Sequence, residues 1–165
     1  MTDKLEALRY RRIVKSDRHD PGEFDMLADM IGHAVPADYL SFLRRYPDSG
    51  RFEIEGGVHV AAAGRAGNDP GATFEVALLY AGCSIDDCDL FEIRQEQKDD
   101  EPGSISLDLL PIGEDTSGNT FCLALRPGAF GQVWLRDHDR AADAGGLVLV
   151  APTFTAFVAA LRSGA

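Results

Sequence analysis

Two acidic segments carry the side chains best suited to chemistry. The first is Glu114-Asp115, and the second is Asp137-His138-Asp139. If the predicted strands before them end side by side, four carboxylates and one imidazole would converge. Oxygen-rich clusters bind magnesium or calcium, and a histidine beside a carboxylate can act as a general base. The sequence therefore offers one candidate site for metal binding or hydrolysis.

The same segments also suit a structural turn, and we favour that interpretation. Gly113 and Gly118 tolerate backbone angles that other residues avoid, and the short polar side chains between them can bond to nearby backbone. Asp137 can cap a turn, and His138 can bond to a buried carbonyl. We therefore expect no catalytic residue, no metal site and no cofactor.

The three cysteines, Cys83, Cys88 and Cys122, do not have the spacing of a zinc site. An odd number with no paired spacing favours reduced, buried thiols in a reducing compartment over a disulfide framework.

A run of acids between Gly82 and Glu101 is the strongest candidate for a binding surface. It holds eight acidic and two basic side chains, a net charge of −6. Ser84 can cap a helix from Ile85 to Gln97 that turns most of these acids outward. Such a face is either simply solvated or attracts a basic protein. We expect a partner to contact the acids of this helix and of the first segment above, namely Asp86, Asp87, Asp89, Glu92, Glu96, Glu114 and Asp115.

Length and charge narrow the class of protein. The chain has 165 residues, 45% of them hydrophobic and 26% charged, with a net charge of −11. This length fits one domain, and the negative charge disfavours nucleic acid and anionic membranes as partners. The N-terminus is charged throughout and resembles no signal peptide. We expect a cytoplasmic protein, a monomer or a weak homodimer.

Helix signals occur at both ends of the chain. Residues 1–19 suit an N-terminal helix or arm, with a helix over Leu5 to Lys15. Asp20 and Pro21 begin a helix that stops at Gly32. Pro36 opens another, and Thr153 caps the last.

Strand signals dominate the middle. Phe52 to Ile54 and Val58 to Val60 flank Gly56-Gly57, which predicts a hairpin. Phe74 to Tyr80 reads as one strand, after an exposed loop from Gly64 to Gly71. Further predicted strands are Leu107 to Ile112, Asn119 to Leu125, Gln132 to Leu135 and Leu147 to Val150. These elements predict a single α+β domain: a mainly antiparallel twisted sheet of about six strands with helices on one face. Its core should bury Tyr39, Leu43, Phe121, Trp134 and Phe157.

Three segments together resemble the SUKH (SMI/KNR-type) superfamily. Ile31 to Leu43 has its glycine, hydrophobic-proline step and acidic-Tyr helix. Leu110 to Asn119 resembles its central loop, and Val133 to Asp139 its strand followed by Asp-His-Asp. The resemblance implies a domain over residues 20–165 and a structural role for its motif residues, which are Pro36, Tyr39, Gly113, Gly118, Asn119, Trp134, Asp137, His138 and Asp139.

The resemblance also implies a protein-binding role. Many bacterial members look like immunity proteins that neutralise toxins, so we expect a protein partner, a basic toxin domain such as a nuclease. Fungal relatives regulate cell-wall assembly, which leaves a regulatory or scaffold protein as one alternative. A small metal-dependent hydrolase built on the acidic segments is another.

Overall fold

The computed structural model describes residues 2–13, 15, 20–63, 65–66, 69–83, 89–96, 106–140 and 146–164. The described helices are α1 (Thr2–Ala7), a 3₁₀ turn (Pro21–Met26) that leads into α2 (Leu27–Ile31), α3 (Ala37–Arg45), α4 (Leu90–Glu96) and α5 (Phe154–Ala160). None of them combines the length and the apolar character needed to cross a bilayer.

Seven described strands form one antiparallel sheet in the order β1-β2-β7-β8-β9-β10-β11. Their bounds are β1 (Tyr10–Arg12), β2 (Gly50–Phe52), β7 (Leu78–Leu79), β8 (Leu109–Glu114), β9 (Thr120–Ala124), β10 (Val133–Arg136) and β11 (Leu147–Ala151). A second sheet has the order β12-β3-β6, and a two-stranded ribbon joins β4 to β5. These strands are β3 (Val58–Ala61), β4 (Arg65–Ala66), β5 (Asp69–Pro70), β6 (Thr73–Glu75) and β12 (Arg162–Ser163). The α+β prediction is confirmed, with one more strand in the main sheet than expected.

Local signals set several helix boundaries as predicted. The Asp20 carboxylate accepts from the Gly22 N–H at 2.8 Å, and Gly32 ends α2 in the left-handed region at φ 69°. The Thr153 hydroxyl accepts from the Ala156 N–H at 3.0 Å and begins α5. These boundaries were predictable because each depends on residues within one turn.

The N-terminal segment differs from its prediction. The helix ends at Ala7 instead of running to Lys15, and residues 10–12 form the edge strand of the main sheet. Leu5 and Leu8 are buried in the same core as the rest of the chain. Tyr-Arg-Arg is too short for a strand period to be visible, so only pairing with β2 reveals it.

The predicted hairpin around Gly56-Gly57 is wrong. Both glycines do form a turn, at φ 79° and 70°. However, β2 pairs in the main sheet while β3 pairs with β6 and β12. The predicted single strand from Phe74 to Tyr80 divides in the same way, because β6 and β7 belong to different sheets. Alternation reveals which segments are extended but not which neighbour they pair with.

One hydrophobic core joins the helices to the main sheet. Tyr39, Leu43, Phe121 and Phe157 are fully buried in it, as predicted. Trp134 is only half-buried and packs in a small second cluster with Cys122 and other residues of the sheet. Trp134 joins this second cluster instead of the main core because strand pairing puts it on the same face as Cys122.

The cysteines also differ from the expectation. Cys83 is buried and disulfide-bonded, so the prediction of a reduced thiol is wrong there. Cys122 is free, and burial raises the pKa of its thiol to about 12 despite the nearby Arg136 guanidinium. Cys88 lies outside the described residues.

Candidate functional site

The Asp115 carboxylate organises the loop between β8 and β9. Its Oδ1 accepts from the backbone N–H groups of Ser117 and Asn119 at 2.8 and 2.9 Å. Its Oδ2 accepts from the Asn119 side-chain amide at 2.8 Å. Asp115 is buried. These bonds engage the carboxylate within its own loop, and its contact with a partner stays a prediction.

Asn119 joins this loop to the segment after β10. Its Oδ1 accepts from the His138 backbone N–H at 3.2 Å and lies 3.0 Å from His138 Nδ1. Strand pairing brings the segments together, because Thr120 opposes Arg136 in the β9–β10 ladder. The structure therefore brings the Glu114-Asp115 and Asp137-His138-Asp139 segments close together. The Asn119 side-chain amide bonds to both of them.

The second segment is held by its own neighbours. The Asp139 N–H donates to Asp137 Oδ1 at 3.0 Å, and Arg140 Nε lies 3.4 Å from Asp137 Oδ2. Asp139 Oδ1 lies 3.2 Å from His138 Nε2. In the described part of the chain, Asp137, His138 and Asp139 form one group whose ligand atoms lie within 4.8 Å of one another.

That group is a weak candidate for chemistry. It consists of three consecutive residues, and His138 and Asp139 are exposed. Glu114 and Asp115 do not belong to it, so the four carboxylates that the alternative catalytic site needs do not converge. The two segments hold adjacent loops together through the hydrogen bonds of Asn119 to His138.

Glu114 contributes instead to a second acidic region. Its carboxylate accepts from the Tyr80 hydroxyl at 2.8 Å and stays half-buried. Two residues later, the Thr116 hydroxyl donates to Glu75 Oε2 at 2.8 Å. Glu75 also lies over the turn at Gly57, and the exposed Glu55 comes just before this turn in the chain. We call Glu55, Glu75 and Glu114 the acidic edge. The sequence missed Glu75 because its contact with this loop is a side-chain bond between residues 41 positions apart in the chain.

The predicted acidic helix is described only from Asp89 onward. Asp89 is fully buried, so its predicted place on the exposed face is wrong. Its carboxylate accepts from the N–H groups of Cys83 at 3.0 Å, Phe91 at 2.9 Å and Glu92 at 3.3 Å, which caps α4. Glu92 is half-buried. Asp86, Asp87 and the side chain of Glu96 lie outside the described residues.

The remaining motif residues support the fold. Tyr39 donates to the Tyr80 carbonyl at 3.4 Å, and Pro36 is buried at the start of α3. Gly113 lies so close to the backbone of β7 that a side chain would meet the Leu78 carbonyl. Gly118 turns the β8–β9 loop at φ 85°.

A comparison with family models gives one match. The model of the SMI1 / KNR4 family (SUKH-1) covers residues 20–160, most of the chain. The chain belongs to the SMI1/KNR4 family. Both candidate acidic regions described above lie within the part of the chain that the family model covers.

No curated protein and no solved structure matches the chain.

Proposed function

We propose that this SMI1/KNR4 family protein is an immunity protein that neutralises a cognate bacterial toxin by direct binding. The observation that carries the proposal is the family match over residues 20–160. The match supports a protein-binding role, because members of this superfamily resemble immunity and regulatory proteins. The net charge of −11 supports a basic toxin domain as the partner, because an acidic surface speeds encounter with a basic one.

The acidic edge is the described surface that best suits this contact. Glu55 is exposed, and Glu75 and Glu114 are half-buried with single hydrogen-bond donors from Thr116 and Tyr80. Each of these two carboxylates can accept further bonds. The helix acids Asp86, Asp87, Glu92 and Glu96 remain part of the proposed contact.

A regulatory or scaffold role is the alternative within the same family. A hydrolase built on the loop cluster is less well supported, because Asp115 and Asp137 are already engaged by backbone and by Arg140. The proposal therefore assigns no catalytic residue, cofactor or nucleic-acid partner.

We propose a cytoplasmic location in the cell that the toxin would kill. The disulfide at Cys83 argues against it, since disulfides are rare in reducing compartments. Fractionation of cells that express the native gene tests the location: protein in the cytoplasmic fraction supports the proposal, and protein outside the cytoplasm supports the argument from the disulfide.

The test is rescue of a growing cell. The toxin encoded by the neighbouring reading frame is expressed alone or with this protein, and colony formation is counted. Survival should return with the unmutated protein. It should weaken with the Glu55→Lys, Glu75→Lys pair, which replaces attraction by repulsion at the acidic edge.

The matched control is the Glu6→Lys, Asp29→Lys pair. It changes net charge equally at two exposed acids on α1 and α2. Equal loss of rescue in both pairs would remove the acidic edge from the proposal. No rescue by the unmutated protein, with both proteins detected in the cell, would reject the immunity function.

A further inference from the structure

A basic cavity lies at the opposite edge of the main sheet from β11. It has a volume of about 330 Å³ and lies between β1 and the end of α3. We call it the arginine pocket; its lining includes Tyr10, Arg11, Arg12, Arg45, Tyr46 and Asp48. The family match begins at residue 20, so β1 adds this wall to the family domain.

Tyr10 holds that wall in place. Its ring packs against Phe42, Tyr46 and Phe52, with centroids 6.3, 5.5 and 5.2 Å apart. It lies directly over Gly50, where any side chain would collide with it. Burial raises the pKa of its hydroxyl, which donates to the Leu79 carbonyl at 3.5 Å. The two tyrosines and the strand therefore form a fixed wall behind the arginines.

The pocket holds more positive than negative charge. Among the described residues, three arginines line it against one carboxylate, Asp48, whose Oδ2 lies 3.9 Å from Arg12 Nη1. Arg45 is exposed and forms no ion pair with any residue in the described ranges. Its neighbour Arg44 differs, because it donates two hydrogen bonds, of 2.8 and 2.6 Å, to the Asp25 carboxylate. In a chain of net charge −11, such an excess of cations in one cavity points to an anionic ligand.

We propose that the arginine pocket binds an acidic side chain of the protein partner. Guanidinium groups match the planar carboxylate with paired N–H donors. Asp48 on the pocket wall favours a singly charged carboxylate over a doubly charged phosphate. The net negative charge of the whole chain repels polyanions such as nucleic acid at long range. The inference rests on the protein-binding part of the proposed function and not on its toxin.

Sheet register places one residue of the pocket, Arg11, in a row with Glu114 of the acidic edge. Arg11 opposes Arg51, Arg51 opposes Leu78, and Leu78 opposes Glu114. Directly paired residues share a face, so this row crosses four strands, roughly 14 Å at about 4.8 Å per strand. A partner lying across the row would place its own acid at the arginines and a basic side chain at Glu114. Charges of both signs in this order fix the orientation of a complex.

The probe is the blocked peptide acetyl-Glu-Gly-Gly-Gly-Lys-amide, whose charged residues are roughly 13 Å apart when extended. Its binding is followed through the arginine Nε–H signals in NMR titrations at low salt. We expect Arg11, Arg12 and Arg45 to shift with the Glu peptide. The same peptide with Gln in place of Glu should bind about tenfold more weakly. Arg12→Gln and Arg45→Gln should each weaken the Glu peptide about tenfold.

Arg44→Gln is the matched control, one residue away on α3 and outside the pocket. Unchanged binding in this variant supports a defined site. An equal loss in Arg44→Gln and Arg45→Gln, equal binding of the Gln peptide, or no shift at millimolar peptide would each overturn the proposal. Stronger binding of inorganic phosphate than of the peptide would also overturn it. If the peptide binds but the protein does not rescue cells from the toxin, the immunity function is rejected and the proposed carboxylate binding at the arginine pocket stands.

Discussion

At the scale of single residues, the notable carboxylates are those that fold the chain. Asp89 and Asp115 each accept two or more backbone N–H groups and are buried. The sequence indicated acids at these positions but placed both on a binding surface. Which carboxylates turn inward depends on where backbone N–H groups remain without strand or helix partners, and that is known only after the fold is formed.

Asp115→Ala should lower the free energy of unfolding by about 1–3 kcal/mol, because it leaves the Ser117 and Asn119 N–H groups without their acceptor. Asp139→Ala is the control, since Asp139 is exposed and should change stability by less than about 0.5 kcal/mol. Urea unfolding of both variants measures the difference. Equal midpoints would show that the Asp115 bonds contribute nothing to the loop.

At the scale of elements, prediction succeeded where signals are local. The caps at Asp20 and Thr153, and the apolar faces of α3 and α5, lie within single turns of sequence. Strands β8 to β11 were found because each is separated from the next by clear turn residues. Sequence reasoning missed the edge strand β1 and the separation of β2 from β3, because pairing between distant segments decides both. It also missed that α4 begins at Leu90, because the buried Asp89 caps the helix there.

Gly113→Ala tests one such distant constraint. The added methyl group would meet the Leu78 carbonyl and lie 3.1 Å from Leu79 Cδ2. We expect β7 and β8 to separate locally, at a cost of about 1–3 kcal/mol in unfolding free energy. Hydrogen exchange should show faster exchange at the Ala77 and Tyr80 amides, which bond to β8. Unchanged exchange and unchanged stability would mean that the strands tolerate a wider spacing.

At the scale of the whole molecule, charge is distributed unevenly around one fold. The arginine pocket lies at the β1 edge, and the acidic edge is formed by Glu55 between β2 and β3, Glu75 at the end of β6 and Glu114 at the end of β8. The sequence showed the total charge and the acidic run from Gly82 to Glu101. It did not show that register aligns Arg11 with Glu114, since that row needs four strands from distant parts of the chain.

The most direct test of the account is a titration of the purified toxin with this protein. The toxin is the one encoded by the neighbouring reading frame, and its activity on its own substrate is the readout. Toxin activity should fall linearly to zero at one equivalent, with a 1:1 complex in light scattering, because neutralisation is by contact. Full toxin activity in a large excess of this protein, with no complex detected, would contradict it.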